Sequence, residues 1–163
     1  MDLSSINSFF SHVPTDWIVI IAFAILVAFD AIRSGTGRAC ALTLSLPATL
    51  LLISELPHAK VLSGVAAQFG TPMLKALLFG IIFIIAYFLV RRMSVPYRNN
   101  SGASIQALIA GIATVTVVVV VWLQVPELQS VWHFGAQVQS VFGEAYRFWW
   151  VAGAFAALAF TER

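Results

Sequence analysis

Met73–Val90 reads MLKALLFGIIFIIAYFLV, and Arg91-Arg92 follows it directly. A membrane-crossing helix needs about 20 predominantly apolar residues, within a range of roughly 17 to 25. This stretch meets that length, and the paired arginines end it as charges flanking a membrane do. Lys75, near its start, is placed to reach back to the headgroups. The rest of the chain agrees: 60% of its 163 residues are hydrophobic and 10% charged, with a mean hydropathy of +0.92. Soluble domains carry roughly 25% charged residues, and a soluble fold this small leaves too much surface facing water to hide so many apolar side chains.

Working outward, Trp17–Ile32 (WIVIIAFAILVAFDAI) forms a first candidate span, preceded by Pro14 and Asp16 and closed by Arg33. Asp16 is placed to cap free N–H groups at the helix start, and Ser34-Gly35-Thr36-Gly37 makes a flexible break. Ala39–Ile53 is a shorter second candidate, a span or a re-entrant or strongly tilted segment, in which Pro47 predicts a kink. Ser104–Leu123 is the fourth, and it contains five consecutive valines. These would suggest a strand in water; the length of the run decides for a helix, because in lipid only helices and closed barrels satisfy their own backbone. Tyr146–Thr161 is a fifth candidate, with Tyr146, Trp149 and Trp150 clustered where an aromatic belt would sit.

Two connectors read as short amphipathic helices lying in the interface, the first of them equally well as an ordinary loop. Between Pro57 and Pro72, Val61, Leu62, Val65 and Phe69 recur at helical spacing. Between Pro126 and Gly143, Leu128, Val131, Trp132, Val138 and Val141 can share one face. The expected fold is therefore all-α: a single integral membrane domain over residues 1–163, a polytopic transmembrane bundle of four to five spans with one or two interfacial helices.

With five spans, one side receives Arg33, Arg38, Arg91, Arg92, Arg98 and Arg163. The other receives Lys60, Lys75 and Arg147, the acids Asp2, Asp16, Glu55, Glu127 and Glu144, and the histidines His12, His58 and His133. The positive-inside bias then puts the N-terminus outside and the C-terminus in the cytoplasm of a multi-pass cell-membrane protein. The scattered basic residues form no phosphate-tracking stripe, so nucleic acid is not an expected partner. The N-terminus carries acids where a cleavable signal needs a basic region, and the lone Cys40 leaves the redox compartment open.

Chemistry-bearing motifs are sparse. Every histidine falls in a connector, not inside a span where it could ligate haem. No zinc spacing, Walker loop or dinucleotide fingerprint is present, and Ser45, mid-span, has no His or Lys in register. No catalytic, cofactor-binding or metal-binding residue is expected, and the chain reads as non-enzymatic. The candidate polar site is Asp30 with Arg33 three residues on, either a local surface ion pair or a proton or ion site. Candidate helix-packing positions are the small pairs Ala107/Gly111 and Gly153/Ala157, whose four-residue spacing lets helices approach closely.

The Asp16–Leu46 stretch resembles the opening of the colicin V production protein family. There the first span begins at an aspartate, and an Arg-Gly-x-x-Arg turn leads into a second hydrophobic segment. Here Asp16-Trp17 starts the span, and Arg33-Ser34-Gly35-Thr36-Gly37-Arg38 is similar to that turn with one residue inserted. Gly111 in the fourth span fits the layout. Thr114 and Thr116 stand where an arginine-glycine step is expected, and the apolar run after Gly143 exceeds the usual pattern. The resemblance implies a small inner-membrane protein tied to secretion, envelope maintenance or accessory roles, and carries over no catalytic residue. The lack of chemical groups in the spans, the small-residue faces and the short loops read as an accessory, scaffold or assembly subunit of a membrane complex. Its partners are the lipid bilayer and other membrane-protein subunits or further copies of itself. The competing reading is a small channel or transporter subunit acting as an oligomer, resting on Asp30, Pro47, Thr43, Ser45, Thr114 and Thr116.

Overall fold

The structure is a computed structural model that describes residues 14–56, 70–93 and 104–161. Seven helices make up this part of the chain: α1 Thr15–Ser34, α2 Gly37–Glu55, α3 Pro72–Met93, α4 Ser104–Gln124, α5 Pro126–Val131, α6 Ala136–Val141 and α7 Glu144–Thr161. There is no strand among the described residues, so the all-α expectation holds. Among the described residues four helices are long and apolar enough to cross a membrane: Thr15–Ser34, Gly37–Glu55, Pro72–Arg92 and Ile105–Gln124. The fifth apolar run is helical as well. However, α7 takes Glu144 and Arg147 into its first turn and is not one of those four. Each long helix reaches beyond its apolar run, because hydrogen bonding continues through the flanking polar residues after the hydrophobic pattern stops.

The centre of the bundle is α4. Of its most apolar 18 residues 56% are buried, against 39% for α2 and 11% for α1 and α3. Ala110, Ala113, Val117 and Val121 face one core, shared with Ala39 and Leu46 of α2, Phe79 of α3, and Ala154 and Leu158 of α7. Val115, Val119, Val120 and Leu123 face a second core with Phe134, Val138 and Phe142, against which Trp17, Ile20 and Ala24 of α1 pack. The valine run suits this position. A β-branched side chain has essentially one rotamer in a helix, so packing it costs little side-chain freedom.

Gly35 and Thr36 alone separate α1 from α2, which makes the expected flexible break a tight reversal. Gly35 sits at φ 84°, ψ 157°, a region that essentially only glycine adopts, and its N–H donates to the Ala31 carbonyl at 2.9 Å. Helix α2 runs unbroken through Pro47. The Thr43 hydroxyl, one turn before Pro47, donates back to the Ala39 carbonyl at 2.8 Å.

The second connector does not form one interfacial helix. It folds as two six-residue helices, α5 and α6, separated by Trp132–Gly135, with Trp132 extended at φ −145°, ψ 122°. Leu128 and Val138 turn into the core, while Val131, Trp132 and Val141 stay exposed. Carbonyls left free at the division are taken by side chains: the Trp122 indole donates to the Trp132 carbonyl at 3.0 Å and the Gln139 amide to the Phe134 carbonyl at 2.7 Å. Most of the first connector (57–69), where the other interfacial helix was expected, lies outside the described residues.

Gly35→Ala forces an L-residue into the glycine-only region and is expected to cost about 1–3 kcal/mol. A fall in the thermal midpoint of the detergent-solubilised protein measures it, and an unchanged midpoint would show that the α1–α2 reversal tolerates another backbone conformation.

Candidate functional site

Helix α4 positions the first candidate pair. Ala107 is fully buried, and Gly111 lies against α1 so closely that a Cβ there would meet the Ala24 carbonyl oxygen at 2.8 Å and the Ala28 Cβ at 2.9 Å. The small residues of α4 thus serve packing within the chain. The second pair divides. Ala157 packs against the first core, but Gly153 is exposed and a Cβ built on it would meet nothing within 4 Å. Ala154 and Leu158 are the residues of α7 that turn inward.

Thr43, Ser45, Thr49 and Thr114 are the buried polar residues of the described core. Each donates its hydroxyl to a carbonyl in its own helix: Ala39, Leu42, Ser45 and Ala110 respectively, at 2.7–2.8 Å. Such back-bonding is the usual way a hydroxyl satisfies itself inside a helix. Thr43 and Thr114 also meet across the α2–α4 interface at 3.0 Å; with one proton on each hydroxyl, Thr43 donates either to Thr114 or to its own Ala39 carbonyl, so the polar link between the helices alternates with back-bonding. Among the described residues no buried side-chain nitrogen or oxygen lacks a partner.

Asp30 does not pair with Arg33. Its carboxylate takes the Arg38 guanidinium at 3.3 Å across the α1–α2 reversal and the Ser34 hydroxyl at 3.2 Å. Both Asp30 and Arg38 are about half exposed. The turn at Gly35 brings the start of α2 back beside the end of α1 and so offers Arg38 a shorter reach. Sequence spacing along a single helix could not show this partner.

The charged residues collect at the two ends of the bundle. Asp30, Arg33 and Arg38, with Arg91 and Arg92, occupy one end. At the other end α1, α3 and α7 begin and α2 and α4 finish, and there α5 and α6 form a cap. Lys75 meets Glu127 of the cap at 3.6 Å, so it is partnered by protein as well as placed to snorkel. Asp16 lies inside the first turn of α1 and makes no cap bond to that helix; its carboxylate accepts the Gly135 N–H at 2.5 Å. This clasp, with a sequence separation of 119, has no local sequence signal. All five tryptophans, Trp17, Trp122, Trp132, Trp149 and Trp150, belong to the capped end.

No family model matches the chain, and comparison with curated proteins and with solved structures likewise gives no match. The fold and the sorting of its residues define the class: a multi-pass helical membrane protein, with four apolar helices and their charges at the ends.

Two expectations follow. Gly111→Ala is expected to destabilise the bundle by about 1–3 kcal/mol through overpacking, whereas Gly153→Ala leaves its stability unchanged or slightly raised; thermal midpoints of the two variants give the comparison. A double-mutant cycle of Thr43→Val and Thr114→Val, read by the same unfolding measurement, should give a coupling of about 0.6 kcal/mol and not above about 1.7.

Proposed function

We propose that the protein acts by packing against other membrane-protein subunits, as an accessory or scaffold subunit of a membrane complex and not as an enzyme. The observation that carries this is the bare glycine on the outward side of α7, where a Cβ at Gly153 would enter open space. Glycine weakens a helix interior by about 1 kcal/mol relative to alanine, and Gly153 has no close neighbour in this chain to recover that cost. A helix from a partner, approaching backbone to backbone, would recover it. Gly80 on α3 is open in the same way. The arginines at the uncapped end support an orientation with that end in the cytoplasm and the capped end, with the N-terminus, outside. The resemblance to the colicin V production protein family points toward the same accessory role in an inner membrane.

The alternative is a small channel or transporter subunit. Asp30 with Arg38 near one end, Pro47 within α2 and the hydroxyls of the α2–α4 interface favour it. Replacing Asp30 by Asn abolishes flux in reconstituted vesicles on that reading and has no effect on the scaffold reading.

The deciding measurement is the native mass and subunit content of the tagged protein after gentle extraction. A stoichiometric partner or a defined oligomer is expected, and it should dissociate in Gly153→Leu while the monomer remains folded. Recovery as a lone monomer, equal in wild type and variant, sinks the proposal.

A further inference from the structure

Between the finish of α4 and the start of α7 lies a polar hollow with an organised lining. It encloses ≈460 Å³, within the roughly 300–1,000 Å³ typical of small-ligand clefts. Its polar lining is Gln124, Gln129, Gln139, Glu144 and Arg147. The Arg147 side chain is only 22% exposed. Its Nε donates to the Phe142 carbonyl at 3.3 Å, which orients the guanidinium. The nearest carboxylate, Glu144, stands 3.9 Å from it and is 89% exposed, so it is a loose, water-facing partner that a better acceptor can displace.

The glutamines are held in a similar way. Gln129 donates through Nε2 to the Leu123 carbonyl at 2.6 Å, and Gln139 to the Phe134 carbonyl at 2.7 Å. An oriented guanidinium, largely withdrawn from water and weakly matched in charge, suits an anion, and its planar fork suits phosphate in particular. Trp149 and Trp150 follow Arg147 within a turn of α7. That places the hollow at the depth where aromatic belts and lipid headgroups lie.

We propose that this hollow binds a phosphate group through Arg147, assisted by Gln124, with a phospholipid headgroup as the source its depth favours. The site is independent of the packing face on α7 proposed above. Two variants test it. Arg147→Gln removes the charge but also alters the bond to Phe142. Gln124→Glu places a negative charge in the hollow at an exposed residue that makes no side-chain hydrogen bond to another described residue.

The full chain is purified in mild detergent and probed in two ways: phospholipid retained on native mass spectrometry, and tryptophan fluorescence during titration with inorganic phosphate. Loss of a charged hydrogen bond corresponds to about tenfold or more in affinity. Phospholipid retention reduced by about that factor in both variants, with no phosphate response, supports the headgroup. A saturable phosphate response in wild type that weakens about tenfold in both variants supports soluble phosphate as the source. Wild type and Gln124→Glu alike in both readouts overturns the proposal, whatever Arg147→Gln does.

Discussion

The closeness of α1 and α4 at Gly111 governs the rest of the bundle. With no side chain at that position, α4 lies directly against the Ala24–Ala28 turn of α1, and the two helices can share the core that also takes in Phe134, Val138 and Phe142. In lipid no hydrophobic force drives helices together, so shape and close contact must do it. Small residues supply that on the other side of α4 as well, where Ala110 and Ala113 meet α2 and α7. The Thr43–Thr114 bond adds one directional contact to an interface otherwise held by packing.

A second constraint operates at the capped end. Between α4 and α7 the chain leaves and re-enters helix twice, and each break frees backbone carbonyls that an apolar neighbourhood cannot satisfy. Side-chain N–H groups take them one by one. Gln129 serves Leu123, Trp122 serves Trp132, Gln139 serves Phe134, Trp150 serves Val141 and Arg147 serves Phe142. Tryptophan is suited to this work because its ring rests on apolar surface while its one donor reaches a carbonyl. The Asp16 clasp on Gly135 then fixes the cap to the first helix. The polar hollow beside Arg147 lies in this carbonyl-rich region, where donors are already concentrated.

The two ends therefore differ in chemistry. One carries the tryptophans and a folded cap; the other carries arginines and a tight reversal held by Asp30 and Arg38. An interior spent on packing, with its hydroxyls bonded to their own helices, leaves the outward faces and the capped end as the places where a partner or lipid can be recognised. Gly153 and Arg147 stand one and a half turns or so apart on α7, so one helix supplies both an open face and the charge of the hollow.

Apolar run length by itself determined the helices, because a backbone in lipid has few ways to satisfy its hydrogen bonds. Composition and the flanking arginines likewise determined the membrane class and the sorting of charge. Gly111 and Ala107 could be read as packing positions from their spacing, since side chains four apart share a helix face. Which side of α7 turns inward could not be read, because Gly153 and Ala157 share that spacing and only the path of α4 decides between them. The partner of Asp30 depended on the Gly35 reversal, and the role of Asp16 on a contact with a segment far along the chain. The carbonyls freed where the second connector splits into α5 and α6 find their donors in Trp122 and Gln139, which packing brings within reach. Local pattern fixes which long segments become helices, whereas the breaks in the connector, the partners, the inward faces and the hollows arise from distances between segments, which exist only once the helices have packed.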